Sequence, residues 1–216
     1  MDFEKMTNNS GVEYLDIYDD KMVHIGRAPR TEVHKKGYWH LAFQCWFIRK
    51  EKDKTYIIFQ KRCPSKDTYP NLFDTSSAGH LSAGESIEDG VRELYEELGA
   101  EVKFQELIPM GIIKQQKDEK EFKDYQFACL YLYESNKLLK DYKIQKEEIT
   151  GLIEIDLESY RKLIEGEISA LKTEGVYVDS DGCNHFKEYS VTYEDLVPHG
   201  KYYYHKVYEE ILKYNS

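Results

Sequence analysis

Long apolar runs are missing from this chain. Nowhere does a stretch approach the ~20 consecutive apolar residues that a bilayer-spanning helix needs, so no membrane segment is expected. Positive charge is in the minority, with 30 Lys and Arg against 40 Asp and Glu and a net charge of −10. Such a surface repels a polyanion and makes long nucleic acid an unfavourable partner, while a small phosphate ligand bridged by a cation stays compatible. Cysteine is sparse. Cys45, Cys63, Cys129 and Cys183 form no C-x-x-C pair, which argues against a zinc ribbon and against a disulfide framework, and four reduced thiols are expected. The first ten residues, MDFEKMTNNS, are polar and acidic and lack the apolar core of a signal peptide, so the expected compartment is the cytoplasm. The 216 residues suffice for one domain with an extension.

What is present begins with alternation. In YWHLAFQCWFIRK, Trp39, Leu41, Phe43, Cys45 and Phe47 fall on one face of a strand and His40, Ala42, Gln44 and Trp46 on the other. KTYIIFQKR follows as a second strand across a charged hairpin connection. One or two strands are expected over residues 103–116, another over Asp124–Glu134, and another over Ile149–Asp156. Strands on both sides of a central helix predict an α+β sandwich with a mixed sheet over residues 1–165, including a short N-terminal strand segment. Residues 166–216 read as a helical, Tyr-rich extension packed on the same domain, ending in a helix with Tyr204, Val207, Tyr208, Ile211 and Leu212 on one face. Its aromatics serve either packing or the lining of a ligand site. DSDGCN, at Asp179–Asn184, lacks the oxygen ligands of a calcium loop and reads as a turn.

The chemistry concentrates between Gly79 and Val102, GHLSAGESIEDGVRELYEELGAEV. At about 100° per residue, Glu93 and Glu97 stand one helical turn apart with Glu96 on the same broad face, while Ile87, Val91, Leu94 and Leu98 form an apolar stripe opposite. Taken alone, such a face is more often just a solvated surface, with Arg92 and Glu96 as an ordinary i,i+4 pair. The whole run resembles the Nudix box, G-x5-E-x7-R-E-U-x-E-E-x-G-U with U apolar. Gly79 and Glu85 fit its first half and Arg92, Glu93, Leu94, Glu96, Glu97 and Gly99 its second. Two departures stand out: six residues rather than seven separate Glu85 from Arg92, and Ala100 fills the last apolar place. The resemblance implies a Nudix hydrolase fold and activity on a small-molecule diphosphate, with Mg²⁺, or Mn²⁺ as a substitute, held by Glu93, Glu96 and Glu97 and with Arg92 orienting a glutamate. Gly79 and Gly84 would let backbone pass close to the ligand. A hard cation suits carboxylate oxygens, neutralises a diphosphate and acidifies a bound water.

The flanks EVHKKGYWHLAF and SKDTYPNLFDTSSAGHLSAGES are similar to the Nudix branch that includes isopentenyl-diphosphate isomerase. In that branch a C-G-H segment and a glutamate move protons on opposite faces of an alkene. Here the segment reads Ala78, Gly79, His80, and the glutamate's place falls on Asp124. Alanine transfers no proton, which weighs against isomerisation. The branch's metal-binding histidines find counterparts in His34, His40 and His80, each also readable as a structural hydrogen-bonding residue. Arg62 and Lys66 correspond to its diphosphate-contacting cations, or are solubilising surface charges. The resemblance thus leaves three readings: a Mg²⁺-dependent diphosphate hydrolase first, then an isomerase-like enzyme, then a non-catalytic sensor, which the costly cluster of like charges disfavours. The oligomeric state is not legible.

Overall fold

The computed structural model describes residues 11–118, 120 and 122–216. In chain order its elements are β1 (Tyr14–Tyr18), β2 (His24–Pro29), α1 (Arg30–Lys36), β3 (Trp39–Glu51), β4 (Lys54–Arg62), β5 (Phe73–Asp74), β6 (Ser77–His80), α2 (Val91–Leu98), β7 (Ile108–Asp118), β8 (Lys123–Glu134), β9 (Ile149–Asp156), α3 (Leu157–Glu165), β10 (Ala170–Val178), β11 (Asn184–Thr192) and α4 (Lys201–Tyr214). Short 3-10 turns lie between some of them, the one that matters for the site being Ile87–Gly90, directly before α2. The fold is α+β. The chain divides into two compact units, one made of the described part of Met1–Phe43 with Gly79–Gly90 and Ile112–Cys129, the other of Gln44–Ala78, Val91–Gly111 and Leu130–Ser216.

In the first unit, β1 and β2 form an antiparallel hairpin with Leu15 opposite Ala28. Leu15, Ala28 and Val33 are buried together, with Ile17 and Tyr38 against them. The Asp19 side chain closes the hairpin turn by accepting the amides of Lys21 and Val23. α1 ends at Gly37, whose φ of 74° and amide bond to the Val33 carbonyl make a left-handed cap. Any other residue there would meet the Lys123 and Tyr125 side chains at 3.0–3.1 Å as well as a strained backbone.

The second unit is built on antiparallel strands in the order β11-β10-β9-β4-β3, with β5 also on β4. β4 and β9 match the expected spans. The in-out alternation expected of β3 is not what the structure shows: every residue from Ala42 to Arg49 is buried. Its polar members are satisfied internally. Arg49 makes a two-pronged pair with Glu154, at 2.7 and 2.9 Å, and Gln44 accepts the Tyr203 hydroxyl at 2.6 Å. The extension is not simply helical, because β10 and β11 pair along their full length before α4 begins. Asp179–Cys183 is the turn between them, closed by Asp179 accepting the amides of Asp181 and Cys183. α4 buries Tyr203, Tyr204, Val207 and Ile211, so Tyr203 takes the place expected for Leu212, which is 42% exposed. The Tyr203 hydroxyl also accepts the Trp46 indole N–H at 3.1 Å, and Tyr160 donates to the Tyr204 carbonyl at 2.9 Å. The tyrosines of this segment that turn inward are packing residues with satisfied hydroxyls.

Candidate functional site

The box helix α2 lies in the second unit and is short because its start is not α-helical. The 3-10 turn Ile87–Gly90 supplies four residues at about 2.0 Å and 120° each, an advance of about 8 Å and a rotation of about 480°. Five α-helical residues give about 7.5 Å and 500°. The tighter turn falls at the place where the box is one residue short. Gly90 makes it possible, since a Cβ there would lie 2.5 Å from the Phe43 ring.

On α2, Leu94 and Leu98 are buried, and so is Glu97 at 4% exposure. Its Oε2 accepts the Ser77 hydroxyl at 2.6 Å and the Ala78 amide at 3.1 Å. Burial, then the adjacent Glu93 charge, push the Glu97 carboxyl up from 4.5 to about 8, against the pull of those two donors and of Lys66. The Arg92 guanidinium donates to Glu93 and reaches Glu96 at 3.5 Å. Glu93 is slightly more withdrawn than Arg92, while Glu96 stands at the solvent edge with its side chain 37% exposed. The three carboxylates of the helix thus grade from buried to exposed.

Lys66 is ion-paired with Glu148. Arg62 is engaged by protein acceptors rather than presented to a ligand: Nη1 donates to Asp74 at 2.9 Å, and Nε and Nη2 donate to the Thr68 carbonyl at 3.1 and 2.8 Å. Asp74 is buried and also bonded to His199 at 2.7 Å. Burial alone would raise its carboxyl, but His199 and Arg62 hold it at about 2.

In the first unit, the loop of the box is held by β1. The Ala83 amide donates to the Tyr14 carbonyl and the Gly84 amide to Asp16 Oδ2, both at 2.8 Å. Glu85 folds back to accept the Ser82 amide at 2.7 Å. Gly79 lies in β6 beside His80. The same unit gathers His34, His40, His80 and Asp124, each offering a ligand atom within 4.8 Å of the others. His34 comes from α1, His40 from β3, His80 from β6 and Asp124 from β8. The Gly37 cap lies between α1, which carries His34, and β3, which carries His40. His34 Nε2 and His40 Nε2 are buried without a hydrogen-bond partner. His40 Nδ1 faces the Tyr38 carbonyl at 3.1 Å, which assigns the proton to Nδ1 and the lone pair to Nε2, the atom turned to the group. Burial lowers His34 to about 4, with His40 and Arg30 acting in the same sense, and burial also lowers His40, so both rings are neutral at physiological pH. Orphaned imidazole nitrogens around a carboxylate fit a divalent metal of borderline hardness. Phe122 stacks on the His34 ring with centroids 4.7 Å apart.

Sequence reasoning missed Asp16, Ser77, Phe122 and Glu148. Their partners lie 68, 20, 88 and 82 positions away in the chain, so no local spacing carries them.

Comparison with known proteins agrees with this reading of the fold. The chain is 45% identical over 195 residues to an uncharacterized Nudix hydrolase of Clostridium acetobutylicum, covering 90% of this chain and 94% of that protein. It is 34% identical over 101 residues to an isopentenyl-diphosphate Delta-isomerase of Paenarthrobacter aurescens, covering 46% of this chain and 53% of the isomerase. Among solved structures, DR0079 from Deinococcus radiodurans superposes with a TM-score of 0.54 at 20% identity, over 71% of this chain and 90% of that one. The NUDIX domain family matches residues 38–172, more than half of the sequence, and the chain belongs to that family.

Proposed function

We propose that this Nudix protein is a Mg²⁺-dependent hydrolase that cleaves the diphosphate linkage of a nucleoside diphosphate derivative or a related organic diphosphate by attack of water at phosphorus. The observation that carries the reading is Glu97, a carboxyl group buried on the box helix beside Glu93 and oriented by Ser77 and the Ala78 amide, where a divalent ion would stabilise the ionised form that burial disfavours. Glu93, Glu96 and Glu97 would hold the ion, with Mn²⁺ as a substitute. Once bound, it would neutralise the diphosphate and lower the pKa of a coordinated water. The chain's own groups prepare that step. Arg92 aligns Glu93 and Glu96, Ser77 and the Ala78 amide fix the orientation of Glu97, and Lys66, ion-paired with Glu148, would have to turn from it to meet substrate phosphate. His34, His40, His80 and Asp124 would hold a second divalent ion.

The test is a panel of nucleoside diphosphate derivatives, oxidised nucleotides and prenyl diphosphates, incubated with and without Mg²⁺ while released phosphate and monophosphate are followed. Glu96→Gln and Glu97→Gln should keep the fold and lower turnover by about two orders of magnitude or more, because an amide is a poor ligand for a hard cation. Full activity in both variants removes the carboxylates from the reaction. A second reading, isomerase-like chemistry, is favoured by the histidine and aspartate group together with the isomerases among the relatives, and opposed by Ala78. Solvent deuterium entering a prenyl diphosphate without phosphate release would establish it.

A further inference from the structure

In a chain of net charge −10 a lysine readily finds an acidic partner, and on α1 Lys36 does so, its ammonium meeting Glu32 at 2.6 Å. Its neighbour Lys35 has no carboxylate partner among the described residues, and neither have Lys120 and Lys123. These three lysines surround one cleft of about 510 Å³, whose described lining is Thr31, Lys35, Lys120 and Lys123. Thr31 and Lys35 stand one turn apart on α1, so a hydroxyl and an ammonium share a face of that helix. Lys123 opens β8, directly before Asp124. Its stem lies against the end of α1 because Gly37 has no side chain: a Cβ there would come 3.0 Å from Lys123 Cδ and 3.2 Å from its Cβ. Lys120 belongs to the connection between β7 and β8, and all four residues belong to the first unit.

Ammonium groups gathered without counter-charges raise the positive potential at one another, and an anion in the cleft reverses that balance. A lysine ammonium is a point-charge ligand for phosphate, and a threonine hydroxyl donates a hydrogen bond to a phosphate oxygen. The volume falls within the range of small-molecule sites, about 300–1,000 Å³. The described lining holds no aromatic or aliphatic residue, so charge rather than apolar burial selects the occupant. We propose that this cleft is a binding site for the phosphate or diphosphate group of a small ligand, held by Lys35, Lys120 and Lys123 with the Thr31 hydroxyl as a fourth donor. The site goes beyond the hydrolase reading and does not depend on it. It shares α1 and β8 with His34 and Asp124, so a phosphate bound there sits next to residues of that group. A concave cleft admits one group at a time, and a chain of net charge −10 is repelled by an anionic membrane, so a free small ligand fits better than a lipid headgroup.

The experiment is titration of the full chain with inorganic pyrophosphate in chelator, read by phosphorus NMR, so that no ion bridges the ligand to carboxylates. Lys35 and Lys120 are exposed, which allows both to be substituted without opening the core. Lys35→Gln and Lys120→Gln should each raise the dissociation constant by about 2- to 5-fold, and by about 5- to 20-fold together, the range expected of exposed charge pairs. Lys36→Gln makes the same change in net charge on the same helix and should leave the constant within about 1.5-fold of wild type. Glu96→Gln and Glu97→Gln should leave pyrophosphate binding in chelator within about twofold, which separates failure of this site from failure of the hydrolase reading. A wild-type chain that does not bind overturns the site, and so does a double variant within about twofold of wild type. A loss in Lys36→Gln equal to that in Lys35→Gln reduces the effect to general charge and overturns it as well. Sedimentation with phosphatidylglycerol vesicles that the double variant loses, without pyrophosphate binding, would assign the lysines to a lipid surface instead.

Discussion

A carboxyl group held at about 8 keeps its proton through a range in which the unfolded chain, at 4.5, has lost it. Below 4.5 the two states are alike at this position. Between 4.5 and 8 the folded state binds more protons, so its stability falls as pH rises, and above 8 the full penalty applies. Each unit crossed is worth at most about 1.4 kcal/mol, and a protein of this size shifts by about 2–4 °C per kcal/mol. In chelator, Glu97→Gln should therefore melt above wild type near pH 8.5, by up to roughly 10–20 °C, and level with it near pH 4.5, even as it loses turnover. An offset that is the same at both pH values would mean that Glu97 is not the strained group. The sequence placed three glutamates on one helical face but could not rank them. What singles out Glu97 is Ser77, twenty positions earlier, and the burial of Leu94 and Leu98 beside it. Arg62 shows the same limit from the other side: the sequence leaves it as a diphosphate contact or a solubilising surface charge, and its hydrogen bonds to Asp74 and Thr68 emerge only on folding.

At the scale of elements, legibility followed how completely a segment's own residues dictate its environment. KTYIIFQKR and ITGLIEID are dense in β-branched and aromatic residues, and both appear as strands with the expected ends. α1, RTEVHKK, has seven residues and no apolar period, and β11, NHFKEYSVT, is largely exposed, so neither announces itself. These two are stabilised by partners: α1 by Val33 against Leu15 and Ala28, and β11 by its long register with β10. The 3-10 turn before α2 belongs to this scale as well. It depends on Gly90, where a methyl group would sit 2.5–2.7 Å from three Phe43 carbons. Phe43 is itself buried, so the ring has little room to yield. Gly90→Ala should destabilise the protein by about 1–3 kcal/mol, the usual penalty for forcing an extra carbon into a packed site, although alanine is the better helix former. Urea unfolding measures it, and a neutral or stabilising result would mean that the turn does not need glycine.

For the whole molecule, the scarcity of cysteine pairs led to an expectation of four reduced thiols, and Cys45, Cys63, Cys129 and Cys183 are all free. Their environments differ sharply. Cys45, Cys63 and Cys129 are buried in packed strands or at a strand end, and Cys183 is exposed in the turn between β10 and β11. Burial pushes the Cys129 thiol up to about 11 and raises Cys45 further from the thiolate form. Since the thiolate is the nucleophile, reactivity in the folded protein should be confined to Cys183, whereas an unfolded chain presents all four alike. A chromogenic disulfide-exchange reagent should therefore titrate one fast thiol per chain in buffer and four in denaturant, with no reductant needed to reach four. The three slow thiols report on both compact units, because Cys129 belongs to one and Cys45 and Cys63 to the other. Their protection should thus be lost in a single transition if the units unfold together, and in two steps if they do not. A second fast thiol in native buffer would show that one of these strands is open to solvent and that the packing described for it is wrong.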